Sequence, residues 1–504
     1  MGHAMHAIHL HTRSGAGVLR GLVLLLSLSS SACTVGPDYQ PPQSVSPQRW
    51  GDWHSGPEAL RSTRHEGERL RDQAWWKVFG DPVLDDLQAR AIQANPELHG
   101  AILRFAQARM QRRIVSSAYL PEVTLEGGVS RQKQSLYGMN NRLLEATEPG
   151  NREALEKALG DPFTLYQAGF DASWEPDLWG RVGRSVEAAR AEIGMAAAAL
   201  DDTLLSISSE VARSYIEVRT AQRQIRLLEE DIRMLEERLR LVRVRAGEGL
   251  TDELYVERQK AELEALRGRL PAWQASETEA TNRIAVLLGE RPGALARALE
   301  AKPGNVLERA LPEPDFRLGV PSELVRQRPD IRAAEQSLHR ATADIGIAKA
   351  ALYPSIALGA RFGYESYRDG KFGEWGSRAW SIGPTLDLPL FDAGRRRTVV
   401  RLRELEQQEA AVTFQRTVLG AWQEVDDALS RYHAEYQRNL HMRDKAASSR
   451  QAYEWTQVKY AQGQVDFLEE IDAQRTSMQA QRELIDSEAL LRTQLIALYK
   501  TLGG

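Results

Sequence analysis

What this chain of 504 residues lacks narrows its class. It has one cysteine, so no disulfide forms within it. It has no marked excess of either charge: 65 Lys and Arg stand against 69 Asp and Glu, for a net charge of −4. Nucleic acid is therefore not an expected partner. A mean hydropathy of −0.44 excludes a protein of many membrane helices. No phosphate-binding loop is present, and no Ser, His or Cys stands in a recognisable catalytic pattern. The chain therefore reads as no enzyme, without cofactor or metal. Four histidines, His3, His6, His9 and His11, crowd the start, but in a segment whose removal is expected.

The lone cysteine is placed informatively. Arg13 and Arg20 precede a short apolar run, Gly21 to Leu28, and small residues Ser29 to Ala32 lead to Cys33. The run is far short of the roughly 20 apolar residues that span a bilayer, so residues 1–32 read as a cleaved signal peptide. The break resembles a bacterial lipoprotein box, with Cys33 as the acylated first residue. Ser30 departs from it, because leucine is usual there and Leu28 lies further upstream. Residues 33–75 are then an anchor and an extended N-terminal segment.

The rest of the chain repeats itself. Pro96, Ala108, Ile114 and Pro121 recur as Pro329, Ala341, Ile347 and Pro354, at an offset of 233. Gly180, Gly249, Leu254 and Leu288-Gly289 recur as Gly394, Gly463, Leu468 and Leu502-Gly503, at 214. One insertion of 19 residues in the first copy reconciles the two offsets, and the polar stretch Tyr137 to Pro162 is its expected place. The first copy covers 76–290 and the second 322–504. The proline-rich stretch 291–321 (Pro292, Pro303, Pro312, Pro314, Pro321) joins them as a linker.

From Ser185 to Arg245 there is no proline, and apolar or small residues recur in steps of three and four. They are Leu204, Ile207, Val211, Ser214, Val218, Ala221, Ile225, Leu228, Ile232, Leu235, Leu239 and Val242. This heptad seam predicts a coiled-coil helix of about 60 residues, roughly 90 Å long. The second copy matches it from Arg395 to about Ala461, and shorter helices return over about 252–288 and 466–502.

Four segments break the pattern, at about 122–131, 163–175, 355–366 and 379–390. Each tends to alternate, and each gathers aromatics, as at Tyr166, Phe170, Trp174, Phe362, Tyr364 and Trp380. Barrel strands with interfacial girdles fit this pattern, as do two soluble hairpins with buried aromatics. Four strands cannot close a barrel, and open strand edges are not tolerated in lipid. If these strands cross a membrane, several copies must pool them. The fold expected is mostly α with a small β part: a long coiled-coil stem and a pooled transmembrane β-barrel.

Several motifs resemble the TolC-like outer-membrane efflux proteins, in the lipoprotein branch typified by OprM. They are CTVGPDYQPP from Cys33, WWKVFGDPVLDDL from Trp75, LPLFDAGRRR from Leu388 and YAQGQVDFLEEIDAQR from Tyr460. The resemblance implies a homotrimer, four strands per protomer in a twelve-strand barrel, and a helical tunnel. It also implies outer-membrane lipid, a periplasmic adaptor and an inner-membrane pump of the RND type as partners. Export of small toxic compounds or drugs is the function implied, with a protein-secretion duct as the alternative. The turns at Gly249 and Gly463 would be the periplasmic tip and adaptor contact. The gate carried over comprises Tyr460, Leu468, Glu469, Asp472 and Arg475. At the partner position, where the family often has Asp, this chain has Tyr255.

Overall fold

The computed structural model describes residues 34–42, 74–135, 156–157, 159–301, 306–307, 311 and 327–503. The signal segment, Cys33, most of the insertion and most of the linker lie outside the described residues. The elements run α1 (Pro82–Ala94), α2 (Pro96–Ser116), β1 (Glu122–Gln132), β2 (Phe163–Trp174), α3 (Arg181–Gly247), α4 (Glu253–Leu287) and α5 (Ala296–Ala301). There follow α6 (Pro329–Ala350), β3 (Ser355–Ser366), β4 (Arg378–Asp387), α7 (Arg395–Ala461) and α8 (Phe467–Leu502).

The repeat is written in the backbone. Helices α3 and α7 each hold 67 residues, and both their ends match at an offset of 214. Three glycines of the first copy (Gly180, Gly249, Gly289) and their partners 214 residues on (Gly394, Gly463, Gly503) all have positive φ. The loop from β1 to β2 is 19 residues longer than that from β3 to β4, which puts the insertion there. Strand β4 ends at Asp387, short of the expected 390, because Asp387 pairs with Ser355, where its partner β3 begins.

The chain divides into two compact units. One takes the described residues up to Gln40, with 109–191 and 339–409, and holds the sheet. The sheet is an antiparallel meander in the order β1-β2-β3-β4, so β1 and β4 are its two edges. Its register separates the side chains by chemistry, because directly paired residues share a face. Phe170 pairs with Leu125 and Phe362, Ala360 with Ile382, and Phe362 with Trp380, giving one apolar face. Asp171 pairs with Thr124 and Arg361, Gln167 with Glu365, and Arg361 with Ser381, giving a polar face. Among the described residues nothing covers the apolar face: Trp380 is 72% exposed, Ile382 76% and Leu125 70%. Among the described residues, no helix is long and apolar enough to cross a membrane.

The other unit holds the remaining described residues. Its largest core joins Trp75, Trp76, Phe79, Leu84 and Leu87 to Val211, Tyr215, Ile284, Leu299, Val306, Tyr432 and Leu495. The stretch Trp75–Leu87 and residues of the 291–321 stretch (Leu299, Val306) thus pack on the long helices. Arg492 is fully buried there and donates to the carbonyls of Val306, Leu307 and Glu488. Burial lowers its guanidinium to about 10. From Ile207 to Val242 the seam of α3 is buried, with Ile225 and Ile232 partly so, while Leu204 at its start is exposed. Pro271 sits inside α4 without ending it.

Candidate functional site

The second unit ends in two helical hairpins of the same construction. In the first, Leu250 N–H donates to the Arg245 carbonyl at 2.8 Å and Gly249 N–H to Ala246 at 2.9 Å. In the second, Gln464 N–H donates to Lys459 at 2.9 Å and Gly463 N–H to Tyr460 at 3.0 Å. Each pair is a Schellman closure, which needs a left-handed residue just past the helix. Gly249 (φ +71°) and Gly463 (φ +72°) supply it without a Cβ penalty. The returning helices start alike: Asp252 accepts from Leu254 N–H at 2.9 Å and Asp466 from Glu469 N–H at 2.8 Å.

Below the turns, α3 and α4 join through Leu228, Leu235, Leu239, Val242, Val256, Leu263 and Leu266, and Met478 of α8 completes this cluster. Against α7 and α8, by contrast, α3 presents polar groups. Gln224 donates to Asp486 at 2.8 Å, Asp231 accepts from Arg482 at 2.9 Å, and Arg238 pairs with Glu470 and Gln474. At the end of α3, Arg245 donates to the Tyr460 hydroxyl at 2.5 Å. Arg223 adds a pair with Glu488 at 2.6 Å. Phe467 closes the tip: Tyr255 meets it edge-on at 5.6 Å, Tyr460 lies at 5.7 Å, and the Arg238 guanidinium at 5.3 Å.

The Asp231–Arg482 rung is desolvated, whereas the Arg245–Tyr460 rung is exposed. Asp231 and Arg482 side chains are 4% and 12% exposed. Burial, with Glu230 nearby, outweighs the paired guanidinium and raises the Asp231 carboxyl to about 6. Burial also lowers Arg482, against the pull of Asp231.

The residues singled out from the sequence fall into two groups. Tyr460, from α7, and Tyr255, from α4, both pack on Phe467, and Tyr460 alone reaches across to α3. Tyr255 makes an edge contact here in place of a carboxylate lock. Leu468, Asp472 and Arg475 instead share the exposed face of α8, and Glu469 is exposed beside them. Arg475 donates to Asp472 at 2.8 Å within its own helix rather than to a neighbouring one, because i and i+3 are adjacent on a helix surface. Arg238, Arg245, Phe467 and Glu470 went unnoticed in the sequence. A signal existed: Gln224, Asp231, Arg238 and Arg245 are spaced by seven, a polar heptad position flanking the apolar seam.

Tandem hairpins of this length, paired with a sheet that is apolar on one face and polar on the other, define a TolC-like outer-membrane channel. The sequence pattern described as outer membrane efflux protein matches residues 87–290 and 320–504. The chain belongs to that family: an outer-membrane protein of efflux, and a channel rather than an enzyme. It is similar to outer membrane protein OprJ of Pseudomonas aeruginosa, 29% identical over 482 residues that cover 95% of each chain. It is 30% identical to the pyoverdine export outer membrane protein OpmQ of Pseudomonas putida, over 96% of this chain and 97% of that one. The solved outer-membrane channel OprN superimposes with a TM-score of 0.80 at 31% identity, covering 94% of this chain and 99% of the other.

Proposed function

We propose that the chain is the lipid-anchored exit duct of a three-part efflux system. Three copies pool twelve strands into a barrel and their long helices into a periplasmic tunnel. Residues 1–32 are removed, Cys33 carries the lipid, and residues 33–75 run from the anchor to the first copy. Residues 76–290 and 322–504 are the two efflux repeats, joined by 291–321. A periplasmic adaptor meets the tip at Gly249 and Gly463, and an inner-membrane pump of the RND type drives transport. The cargo is small toxic molecules; the name of OpmQ, a relative, specifies pyoverdine for that protein.

The sheet is the observation that carries this reading. Its apolar face suits lipid and its polar face suits water, while its two edges lack partners within the sheet. Unpaired edges in hydrocarbon cost several kcal/mol per group, by roughly the price of an unmade buried hydrogen bond. Neighbouring copies pairing β1 with β4 remove both edges at once. The purified protein in detergent is expected to have the mass of a trimer by light scattering. A stable monomer there contradicts pooling.

At the mouth, the reading assigns Asp472 and Glu469 of each copy to an acidic ring, with Leu468 beside it. Three copies of this pair favour cations and repel anions. The contacts of Arg245 with Tyr460, and of Phe467 with Tyr255 and Arg238, hold α3, α4, α7 and α8 together behind the ring. Arg475 holds Asp472 in place. Opening exchanges these bonds for adaptor contacts, which requires the adaptor to bind the open form more tightly than the closed one.

A further inference from the structure

Residues Thr34–Tyr39, which follow Cys33 directly in sequence, are bound to the sheet-bearing unit along their whole length. Val35 N–H donates to the Trp179 carbonyl at 3.2 Å. Thr34 lies so close to Gly180 that a Cβ built there would sit 2.5 Å from its methyl group. Gly36 (φ +100°) crosses Gly346 backbone to backbone, with only 2.5 Å from a built Cβ to the Gly346 Cα. Asp38 accepts from Arg184 at 2.7 Å, and the Arg184 side chain is only 5% exposed. Tyr39 stacks on His339 with ring centroids 4.1 Å apart and planes 12° from parallel.

The receiving surface is itself braced. Arg184 also donates to Glu187 at 2.8 Å, and Glu187 pairs with His339 at 2.9 Å. One acidic residue thus orients both groups that grip the segment. Trp179 donates from Nε1 to the Pro354 carbonyl at 2.6 Å and stacks on Tyr353 at 4.8 Å. Trp179 lies between the end of β2 and the start of α3, and Tyr353 and Pro354 between the end of α6 and the start of β3, while Arg184 and Glu187 stand in the first turns of α3 and His339 within α6. That is the foot of the sheet, where Trp and Tyr are enriched at a membrane boundary.

One contact, Gly36 on Gly346, is a backbone approach that admits only glycine, a second packs the Thr34 methyl on Gly180, and two are side-chain grips. Such a fit is more than an extended tail needs for mere passage. We infer that Thr34–Tyr39 is a strap, gripped by Arg184 and His339, that fixes the N-terminal lipid attachment to the foot of the β-sheet and takes up the pull of the membrane on it. Arg184 and His339 are positioning residues in this role. The strap sets where along the molecule the anchor leaves, so that anchor and barrel meet the same bilayer boundary. The inference rests on acylation of Cys33 for its purpose, but the strap's own grip does not involve the lipid.

Hydrogen exchange of the Val35 amide in the full-length protein in detergent tests it. Slow exchange is expected in the wild type. Arg184→Gln with His339→Ala is expected to speed it at least about tenfold, the effect of losing one charge-assisted bond, while the β2–β3 ladder stays protected. Asp38→Asn alters only the strap and serves if the double variant does not fold; it is expected to speed exchange in the same direction. Cys33→Ser is expected to leave the Val35 amide slow. Exchange that is fast in the wild type, or unchanged in Asp38→Asn and the double variant, overturns the strap. Release by Cys33→Ser alone also overturns it, since the lipid and not the grip would then hold the segment. Fatty-acid labelling of the same samples separates the two ideas: no label on wild type refutes acylation and leaves the strap standing.

Discussion

The two hairpin tips share a backbone and differ in their side chains. Gly249 and Gly463 close their helices with the same bonds and nearly the same φ, and Asp252 and Asp466 cap the helices that follow. Counted at the repeat offset, Val256 in the first copy corresponds to Glu470 in the second, and Arg258 to Asp472. Val256 is part of an apolar cluster, whereas Glu470 is buried against Arg238. Asp231, buried in the ladder, corresponds to Lys445, which makes a half-exposed pair with Glu483. The comparison separates two demands. Turn and cap chemistry fixes the hairpin and is kept in both copies, while the contacts that join one hairpin to the other fall on positions that diverged.

Replacing Arg238 by Ala is expected to have the largest effect, because it leaves Glu470 buried without its cation. A cost of about 3–5 kcal/mol follows, read as a lower urea midpoint for opening of the α3–α8 seam by hydrogen exchange. Adding Glu470→Val, which gives the second copy the residue of the first, is expected to restore most of that loss. No recovery in the double variant breaks the claim that the two positions differ only in chemistry.

Protonation of Asp231 comes next. Burial raises its carboxyl to about 6, above the value of about 3.9 in an unfolded chain. Its favourable contribution is therefore complete below about pH 3.9 and lost as pH rises through about 6. The α3–α8 seam is expected to loosen by about 3 kcal/mol across that window, and Asp231→Asn to remove this slope. Amide exchange along α3 between pH 4 and 7, corrected for intrinsic rates, measures it.

The smallest effect concerns what the copies share. Gly249→Ala and Gly463→Ala are each expected to cost about 1–2 kcal/mol, since both place a Cβ in the left-handed region with open space around it. Thermal unfolding of the two variants should agree closely. A clear difference would show that one turn carries a contact the other lacks.

Much of this was legible in the chain itself. The heptad run announced α3, and the constant offsets announced the second copy, because long periodic signals average out local exceptions. The start of β4 and its aromatics were readable by alternation, but its end was not, since it is set by where the partner β3 begins, at Ser355. That Leu468 and Asp472 share a face of α8 followed from their i, i+4 spacing. The ladder of Arg238 and Arg245 did not, because its meaning depends on which helix lies opposite, and polar residues at one heptad position look like a solvated face until that partner is known. The strap at Thr34–Tyr39 was hidden for a similar reason: its one glycine, Gly36, is informative only beside Gly346.

The central claim is a gated duct, and single-channel conductance in planar bilayers tests it most directly, comparing the wild type with Asp472→Ala plus Glu469→Ala. The account predicts a small, cation-preferring current that grows and loses its preference in the variant. A well-folded trimer that passes no current in either form would contradict it.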